Sequence, residues 1–205
     1  MRITEPEMTT TQFLLIRHGE SEANAGLPTP SPTEIRLTRK GREQAAAVAE
    51  QITERPDLIV TSPYLRTQET AEPFIRRHPE VPDEIWPVQE FTYLDIRRHA
   101  GTTEAERGAA VAEYWSRCDP LWKDGEGAES FTEFCARIDT AIARIRAHTG
   151  KVVAVFAHGY VIHAIEMRLA EPDETVGAGF MNRFITTWPT NAPAHCEVRR
   201  CTVSA

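Results

Sequence analysis

A chain of 205 residues, 41% of them hydrophobic, is long enough for one sizeable core, and we expect a single domain over residues 12–205. With 30 acidic against 23 basic residues the net charge is −7, and there is no basic block, which argues against nucleic acid or an anionic membrane surface as the main partner. No apolar stretch approaches the roughly 18 residues of a membrane span, and the first residues lack a signal-peptide pattern, so a cytoplasmic protein is expected.

The first predicted elements are a strand and a helix. Residues 1–11 are polar and are expected to form a disordered N-terminal extension. The apolar residues 13–16 predict a buried strand. After a proline-rich loop, an alanine-rich helix is predicted over residues 37–52, with Thr38 as its N-cap.

The middle of the chain continues the alternation of strands and helices. Residues 58–61 predict a short strand, and Ser62 and Pro63 are expected to open the next helix. Residues 85–91 predict a further short strand. Helical periodicity then marks two longer stretches, residues 102–118 and residues 128–148.

The last third contains the clearest buried strand, within residues 151–159, followed by a helix over residues 160–170. Residues 180–188 and 195–203 predict two more strands, with an antiparallel arrangement as one alternative. Strands that alternate with helices indicate a three-layer α/β/α sandwich around a mostly parallel sheet.

The cysteines show no spacing typical of a metal site, and nothing in the sequence points to export, so reduced thiols are expected. They are Cys118, Cys135, Cys196 and Cys201.

Two of the predicted strands end in the same dipeptide, a histidine followed by a glycine. "LLIRHG" carries His18 and Gly19, and "AVFAHG" carries His158 and Gly159. Because the carboxyl ends of parallel strands lie at one edge of a sheet, beside helix N-termini, we expect the two imidazoles to face one another.

Two arginines are expected at the same edge. Arg17 precedes the first histidine, and Arg66 is predicted one turn inside the helix that follows "IVTSP". Guanidinium groups match phosphate oxygens bidentately and stay charged. Two imidazoles and two guanidiniums therefore predict a pocket for a dianion.

The motif "RHGESEAN" resembles the signature of the histidine phosphatase superfamily, also called the phosphoglycerate-mutase-like family. "LTRKGREQA", "TSPYLRTQETA" and "FAHG" resemble the next landmarks of that family in the same order, over about residues 12–165. The resemblance implies the phosphoglycerate-mutase-like fold and hydrolysis of small phosphomonoesters through a phosphohistidine, with no metal and no other cofactor.

The resemblance also implies roles for individual residues. His18 would be the nucleophile and Glu90, in "VQEF", the acid. The phosphoryl group would be held by four further side chains, those of Arg17, Asn24, Arg66 and His158. Glycines after both histidines would let backbone amides approach the phosphate, and Gly159 is counted among the phosphate-binding residues. A neutral His18 would need an acceptor at its other nitrogen, such as a backbone carbonyl near Gly19.

The acid has alternatives, because Asp83, Glu84 and Asp95 lie near Glu90 in the sequence. Glu90 is preferred for its place at the end of a predicted strand. Glu20 is expected to orient an arginine rather than to perform chemistry.

Residues 91–128 predict a helical, lid-like segment that roofs the pocket and selects the substrate. Arg97, Arg98 and His99 within it are interpreted as a solvated turn, although contact with an anionic substrate is an alternative.

His163 lies off the helical face of His158 and is expected to be packed or exposed. The other histidines carry no motif, namely His78, His99, His148 and His195. Helix packing is the expected role of Trp115, Trp122, Phe131 and Phe134.

Three other functions compete with the phosphatase. A phosphoglycerate mutase is the alternative within the fold, but "FTYLDIRRHAGTTEAERG" lacks the basic and Tyr-Gly pattern with which those enzymes grip a substrate carboxylate. A metal-dependent hydrolase is disfavoured because paired arginines repel a divalent ion. The third is a non-catalytic phosphate-binding module. The expected partner is a small phosphorylated substrate, with neither nucleic acid nor membrane, and the oligomeric state is open.

Overall fold

The computed structural model describes residues 10–28, 31–148 and 151–204. Within these ranges five strands and seven helices occur in the following order: β1 (Thr10–Arg17), α1 (Arg39–Gln51), β2 (Leu58–Thr61), α2 (Leu65–Arg77), β3 (Asp83–Ile85), α3 (Ile96–His99), α4 (Gly108–Arg117), α5 (Phe131–Arg146), β4 (Val152–Ala157), α6 (Gly159–Ala170), α7 (Ala178–Asn191) and β5 (Val198–Ser204).

The five strands form one sheet in the order β3-β2-β4-β1-β5. The first four strands of this order are parallel, and β5 runs antiparallel to β1 at the edge. Arg17, the last residue of β1, is paired with Ala157, the last residue of β4. Because β1 and β4 end at the same level, His18 and His158 leave the sheet side by side.

Each face of the sheet is covered by helices, as the alternation of side chains along β1 demands. Phe13 and Leu15 belong to one core cluster, which includes apolar residues of α5, α6 and α7. Leu14 and Ile16 belong to the other cluster, which includes residues of α1 and α2. The predicted three-layer α/β/α sandwich around a mostly parallel sheet is confirmed.

The strand predicted at residues 180–188 is wrong, because these residues lie in α7. The β-branched run at residues 185–187 favours a strand locally. Apolar side chains nevertheless recur at helical spacing, since Phe180, Met181 and Phe184 are all buried on one face. Packing of that face against the core decides the conformation.

The strand predicted at residues 85–91 is also largely wrong, because β3 ends at Ile85. Pro87 has no backbone N–H to donate to a neighbouring strand. Trp86 still donates its N–H to the Thr61 carbonyl at 2.9 Å and is buried in the core. The chain beyond it, including Glu90, is irregular.

Element boundaries differ from the sequence prediction in two other places. Residues 1–9 of the predicted extension lie outside the described residues, but Thr10 and Thr11 belong to β1. Thr11 is buried and donates its hydroxyl to the His148 carbonyl at 3.0 Å, which explains why the strand begins early. The helix expected to open at Ser62 and Pro63 begins at Leu65.

The remaining elements agree with their predictions. The Thr38 side chain caps α1 by accepting from the Gly41 N–H. The helical stretches 102–118 and 128–148 contain α4 and α5, and the last strand, β5, is antiparallel. Within the described part of the chain, no helix is both long and apolar enough to cross a membrane. All four cysteines fall in the described ranges and are free thiols.

Candidate active site

The two His-Gly turns meet at the carboxyl edge of β1 and β4, as predicted. The rings of His18 and His158 lie edge to face, with their centroids 5.2 Å apart. Both are buried, with 4% and 0% of their surface exposed. A buried pair of imidazoles needs hydrogen-bond partners, and these partners fix which nitrogen of each ring carries a proton.

The protonation pattern of His18 follows from its neighbours. Nδ1 lies 2.7 Å from the carbonyl oxygen of Gly19, which can only accept, so Nδ1 carries the proton. Nε2 accepts a hydrogen bond from Nε of Arg66 at 3.2 Å. Burial, and then the charge of Arg66, hold the pKa of His18 well below its ordinary value. His18 is therefore neutral, with its lone pair on Nε2.

Arg66 is the second residue of α2, closer to the helix start than predicted. Its Nη1 donates to the Pro32 carbonyl at 2.8 Å, and its guanidinium lies over the Tyr64 ring, 4.9 Å from the centroid. Burial lowers the pKa of Arg66 to about 10, against the opposing effect of Glu90, so the group stays charged near neutral pH.

Arg17 ends β1 and is held by the loop before β5. Its Nη1 donates to the Pro193 carbonyl at 2.6 Å, and its backbone oxygen accepts from the Cys196 N–H at 3.0 Å. Its Nε is buried and has no hydrogen-bond partner among the described residues. An unpaired buried N–H is costly, so this donor is suited to an incoming anion.

His158 presents a proton donor to the same space. The Ser62 hydroxyl accepts from the Tyr64 N–H at 3.0 Å and lies 2.8 Å from Nε2 of His158, with no other hydrogen-bond partner described. We assign the hydroxyl proton to Nε2, because this gives that proton a partner, and the ring proton of neutral His158 is then on Nδ1. Nδ1 is buried and without a partner. Burial, and then the charge of Arg66, lower the pKa of His158 well below its ordinary value.

Glu90 is the only one of the four acid candidates that joins this group. Its Oε1 accepts from the Phe91 N–H at 3.0 Å and its Oε2 from the Tyr160 N–H at 3.3 Å. Burial raises the pKa of Glu90, although these hydrogen bonds and Arg66 oppose the shift.

The other three acids are engaged elsewhere. Asp83 and Glu84 are exposed on β3, where Glu84 accepts from the Trp86 indole at 2.7 Å. Asp95 is buried and binds the backbone N–H and the guanidinium of Arg97. The contact between Asp95 and Arg97 lies within the lid-like segment, residues 91–128.

Two other predicted contacts are placed differently by the structure. Asn24 is exposed, and its Oδ1 accepts from the Ser21 hydroxyl at 2.8 Å; it lines a shallow groove that also contains Glu104. Its phosphate-binding role remains a prediction. The expected contact of Glu20 with an arginine is wrong, because its carboxylate binds Lys40 Nζ at 2.7 Å and the Thr38 hydroxyl at 2.9 Å.

The two glycines after the histidines are required by close packing. A Cβ at Gly19 would lie 2.5 Å from the Gly41 carbonyl oxygen of α1. A Cβ at Gly159 would lie 2.6 Å from the Trp188 ring of α7. Backbone atoms surround the added Cβ at Gly19, so that position excludes larger residues. At Gly159 a larger residue would have to displace the Trp188 ring.

A half-open cavity of about 180 Å³ adjoins Arg66 and Glu90. Its walls are mostly aromatic or aliphatic, and they include part of segment 91–128. The lining residues are Pro32, Tyr64, Arg66, Glu90, Phe91, Thr92, Tyr93, Leu94, Ile96, His99, Ala100 and Arg107. Arg97 and Arg98 are exposed and ion-paired with Asp95 and Asp124, which fits their interpretation as part of a solvated turn. His99, which was interpreted in the same way, instead lines the cavity.

Sequence reasoning missed three residues of this site. Ser62 directly follows β2. The rule that parallel strands end at one edge of the sheet, which identified His18, also applies to Ser62. Thr70 accepts from the Gly19 N–H at 3.1 Å through its hydroxyl, one turn after Arg66. Nδ1 of His195 lies 3.1 Å from the His18 backbone oxygen. No local signal marks His195, because the contact joins residues 177 positions apart.

The described residues contain no cluster of three or more histidine, cysteine or acidic side chains arranged to hold a metal ion. His163 is buried in α6, where its Nε2 lies 3.0 Å from the Phe184 carbonyl. It is a packed residue, which is one of the two roles predicted for it.

Comparisons with known proteins show the family to which this chain belongs. The model of the histidine phosphatase superfamily (branch 1) matches residues 13–180. A metal-independent phosphoserine phosphatase of Arabidopsis thaliana is 31% identical over 181 residues, which cover 80% of this chain and 71% of the relative. The adenosylcobalamin/alpha-ribazole phosphatase of Salmonella typhimurium is 32% identical over 168 residues, 76% of this chain and 77% of that one.

A solved mycobacterial structure, glucosyl-3-phosphoglycerate phosphatase in complex with VO3, has the same fold, with a TM-score of 0.71. It is 24% identical, and the match covers 92% of this chain and 90% of that chain. With the family model matched over most of its length, this chain belongs to the histidine phosphatase superfamily, branch 1.

Proposed function

We propose that this protein is a metal-independent phosphatase that hydrolyses small phosphomonoesters through a phosphohistidine at His18. The observation that carries the proposal is the unprotonated Nε2 of His18, held beside a buried guanidinium and a second neutral imidazole. The phosphatase names of the two relatives support the reaction class.

In this mechanism three donors bind the phosphoryl group. They are the Nε–H of Arg17, the guanidinium of Arg66 and the Nδ1–H of His158, and two of these atoms lack any other partner among the described residues. Their positive and dipolar character would compensate the charge on the equatorial phosphate oxygens, which is the main demand of phosphoryl transfer. Two fixed guanidiniums supply this charge without a metal ion.

In the first step, the lone pair of His18 Nε2 attacks phosphorus, and the bond from phosphorus to the ester oxygen breaks. The leaving oxygen takes the bonding electron pair and receives the proton of the Glu90 carboxyl. The Gly19 carbonyl oxygen accepts from Nδ1 throughout, so it also stabilises the positive charge that develops on the ring.

In the second step, water attacks the phosphohistidine. Glu90, now ionised, accepts a proton from the water as the new oxygen-phosphorus bond forms. The bond from phosphorus to Nε2 breaks, and its electron pair returns to the imidazole. Inorganic phosphate leaves, and both His18 and Glu90 return to their starting protonation states.

The test is phosphate release from p-nitrophenyl phosphate, with and without a chelator, by the natural protein and by Arg66→Lys. We expect full activity in the chelator, whereas lysine should lose about ten- to hundredfold, since one hydrogen bond to a charged group contributes about 1.5–3 kcal/mol. A lysine keeps the charge but cannot donate to the phosphate from a planar fork.

Arg76→Lys is the matched control, because Arg76 lies on the same helix and is exposed in an ion pair with Glu72. Equal, small effects at both positions would show that Arg66 does not hold the phosphoryl group. Loss of activity in the chelator would support the metal-dependent hydrolase. Phosphate binding with no turnover of any phosphomonoester would support the non-catalytic module.

A further inference from the structure

The backbone of His18 is held by a hydrogen bond from a third histidine, which the proposed mechanism does not use. His195 lies in the loop between α7 and β5, and its Nδ1 is 3.1 Å from the backbone oxygen of His18. The centroids of the two rings are 5.8 Å apart. Because a carbonyl oxygen can only accept, Nδ1 of His195 carries a proton and donates the hydrogen bond.

The neutral form of His195 is sufficient for this contact. Burial, and then the charge of Arg17, lower the pKa of His195, although its hydrogen bond to His18 opposes the shift. His195 is therefore neutral near neutral pH, with its one ring proton on Nδ1. A neutral ring places no further positive charge beside the imidazole on which charge develops during attack. Nε2 of His195 has no hydrogen-bond partner among the described residues.

The peptide group that joins His18 to Gly19 is held at both of its polar edges. His195 binds its carbonyl oxygen, and the Thr70 hydroxyl accepts from its N–H at 3.1 Å. The Thr70 hydroxyl is itself held, because it donates to the Arg66 backbone oxygen at 2.6 Å. Since a peptide group is planar, hydrogen bonds at its two opposite edges fix its orientation.

The orientation of this peptide group determines how the ring of His18 is held. The Gly19 carbonyl oxygen, which lies 2.7 Å from Nδ1 of His18, belongs to the next peptide group along the chain. The N–H of that next group, on Glu20, donates to the Gln44 side chain at 2.8 Å. Rotation of the His18–Gly19 peptide would displace the Gly19 carbonyl relative to the ring. The direction of the lone pair on Nε2 would then change as well.

The loop that carries His195 is fastened to the end of β1. The Cys196 N–H donates to the Arg17 backbone oxygen at 3.0 Å, and the Arg17 guanidinium donates to the Pro193 carbonyl at 2.6 Å. Cys196 has a positive φ of 58°, which turns the chain tightly at this point. Because backbone groups make most of these contacts, a change in the His195 side chain should leave the loop in place.

We propose that His195 is a positioning residue, whose Nδ1–H fixes the His18–Gly19 peptide and thereby directs Nε2 of His18 at phosphorus. The inference rests on the proposed phosphatase function, because it concerns the nucleophile of that reaction. Hydrogen bonds that support a reacting side chain act on its geometry. His195 should therefore affect the rate of the chemical steps and leave the binding of phosphate unchanged.

The test compares three replacements of His195 that differ in where a donor remains. The amide nitrogen of asparagine can take the place of Nδ1, that of glutamine lies near the place of Nε2, and alanine has no donor. In His195→Ala and His195→Gln we expect kcat for p-nitrophenyl phosphate to fall about tenfold, as for a slightly misplaced reacting group. His195→Asn should keep kcat within about threefold of the natural value, because the hydrogen bond is retained.

Inhibition by inorganic phosphate is the second measurement, because it reports binding without chemistry. The inhibition constant should stay within about twofold of the natural value in all three variants. A general loss of the pocket would instead weaken phosphate binding together with kcat. The thermal unfolding temperature shows whether each variant folds.

Several outcomes would overturn the role of His195 while the phosphatase function stands. One is natural kcat in His195→Ala, and another is activity of His195→Asn no higher than that of His195→Ala. Higher activity in His195→Gln than in His195→Asn would identify Nε2 as the functional atom. Phosphate binding that weakens in parallel with kcat would show that His195 maintains the pocket as a whole. Failure of the natural protein to hydrolyse any phosphomonoester would instead contradict the proposed function.

Discussion

Replacing His18 with alanine should reduce phosphate release by about 10³-fold or more on every substrate, because no other nucleophile can take its place. His158, the nearest imidazole, is neutral with its proton on Nδ1, and its Nε2 is engaged by Ser62. The measurement is kcat for p-nitrophenyl phosphate, together with the thermal unfolding temperature, which reports whether the variant folds.

His78→Ala is the control for this experiment. His78 caps the far end of α2 and lies outside the site, so its replacement should leave kcat within about twofold of the natural value, as expected for a change away from the chemistry. Activity of His18→Ala within tenfold of the natural protein would contradict the assignment of the nucleophile.

Replacing Glu90 with glutamine should separate two kinds of substrate. An alkoxide leaving group needs a proton far more than a nitrophenolate does, and general acid catalysis typically contributes about 10² to 10⁴ in rate. Glu90→Gln should therefore lose about that much activity on an alkyl phosphate such as glycerol 3-phosphate. The loss on p-nitrophenyl phosphate should be much smaller.

The pH profile gives a second readout for Glu90. Burial raises the pKa of this carboxyl, so the natural enzyme should keep its acid protonated above the usual range for glutamate and lose activity as the pH rises through that pKa. The basic limb for alkyl substrates should disappear in Glu90→Gln. Glutamine keeps the size of the side chain but has one acceptor oxygen, so one of the N–H groups of Phe91 and Tyr160 loses its acceptor. The loss of the basic limb, rather than the overall rate, therefore reports proton donation.

Glu84→Gln is the matched control, because Glu84 is exposed on β3 and is one of the alternative acids that the sequence offers. It should behave like the natural protein on both substrates. If Glu90→Gln slows the alkyl and the aryl substrate equally, Glu90 positions the substrate and does not donate the proton.

The sequence predicted the core of the site because two local patterns identify it. Each of the strands β1 and β4 ends in a His-Gly dipeptide, and the rule that parallel strands end at one edge places His18 and His158 together. Arg17 precedes one of these histidines, and Arg66 opens the helix after a third parallel strand. The positions of Arg17 and the two histidines depend only on where strands end, which is the most readable feature of an α/β fold. Arg66 lies inside α2, and it is singled out by the resemblance of "TSPYLRTQETA" to a landmark of the family.

Features that depend on distant contacts were not predicted. Residues 185–187 favour a strand by themselves, and burial of Phe180, Met181 and Phe184 against the core favours the helix instead. The partner of Glu20 is Lys40 rather than an arginine, because α1 packs against the first His-Gly turn. His195 reaches the site through a loop far along the chain, so no local pattern indicates it.

The most direct test of the account is chemical trapping of the intermediate. The natural protein, turning over a substrate labelled in its phosphoryl group, is quenched in alkali, where phosphohistidine survives although acid destroys it. After digestion, mass spectrometry should locate the label on His18, and His18→Ala treated identically should carry none. Label on a serine or on His158, or no label when turnover is stopped across a range of times, would contradict a phosphohistidine at His18.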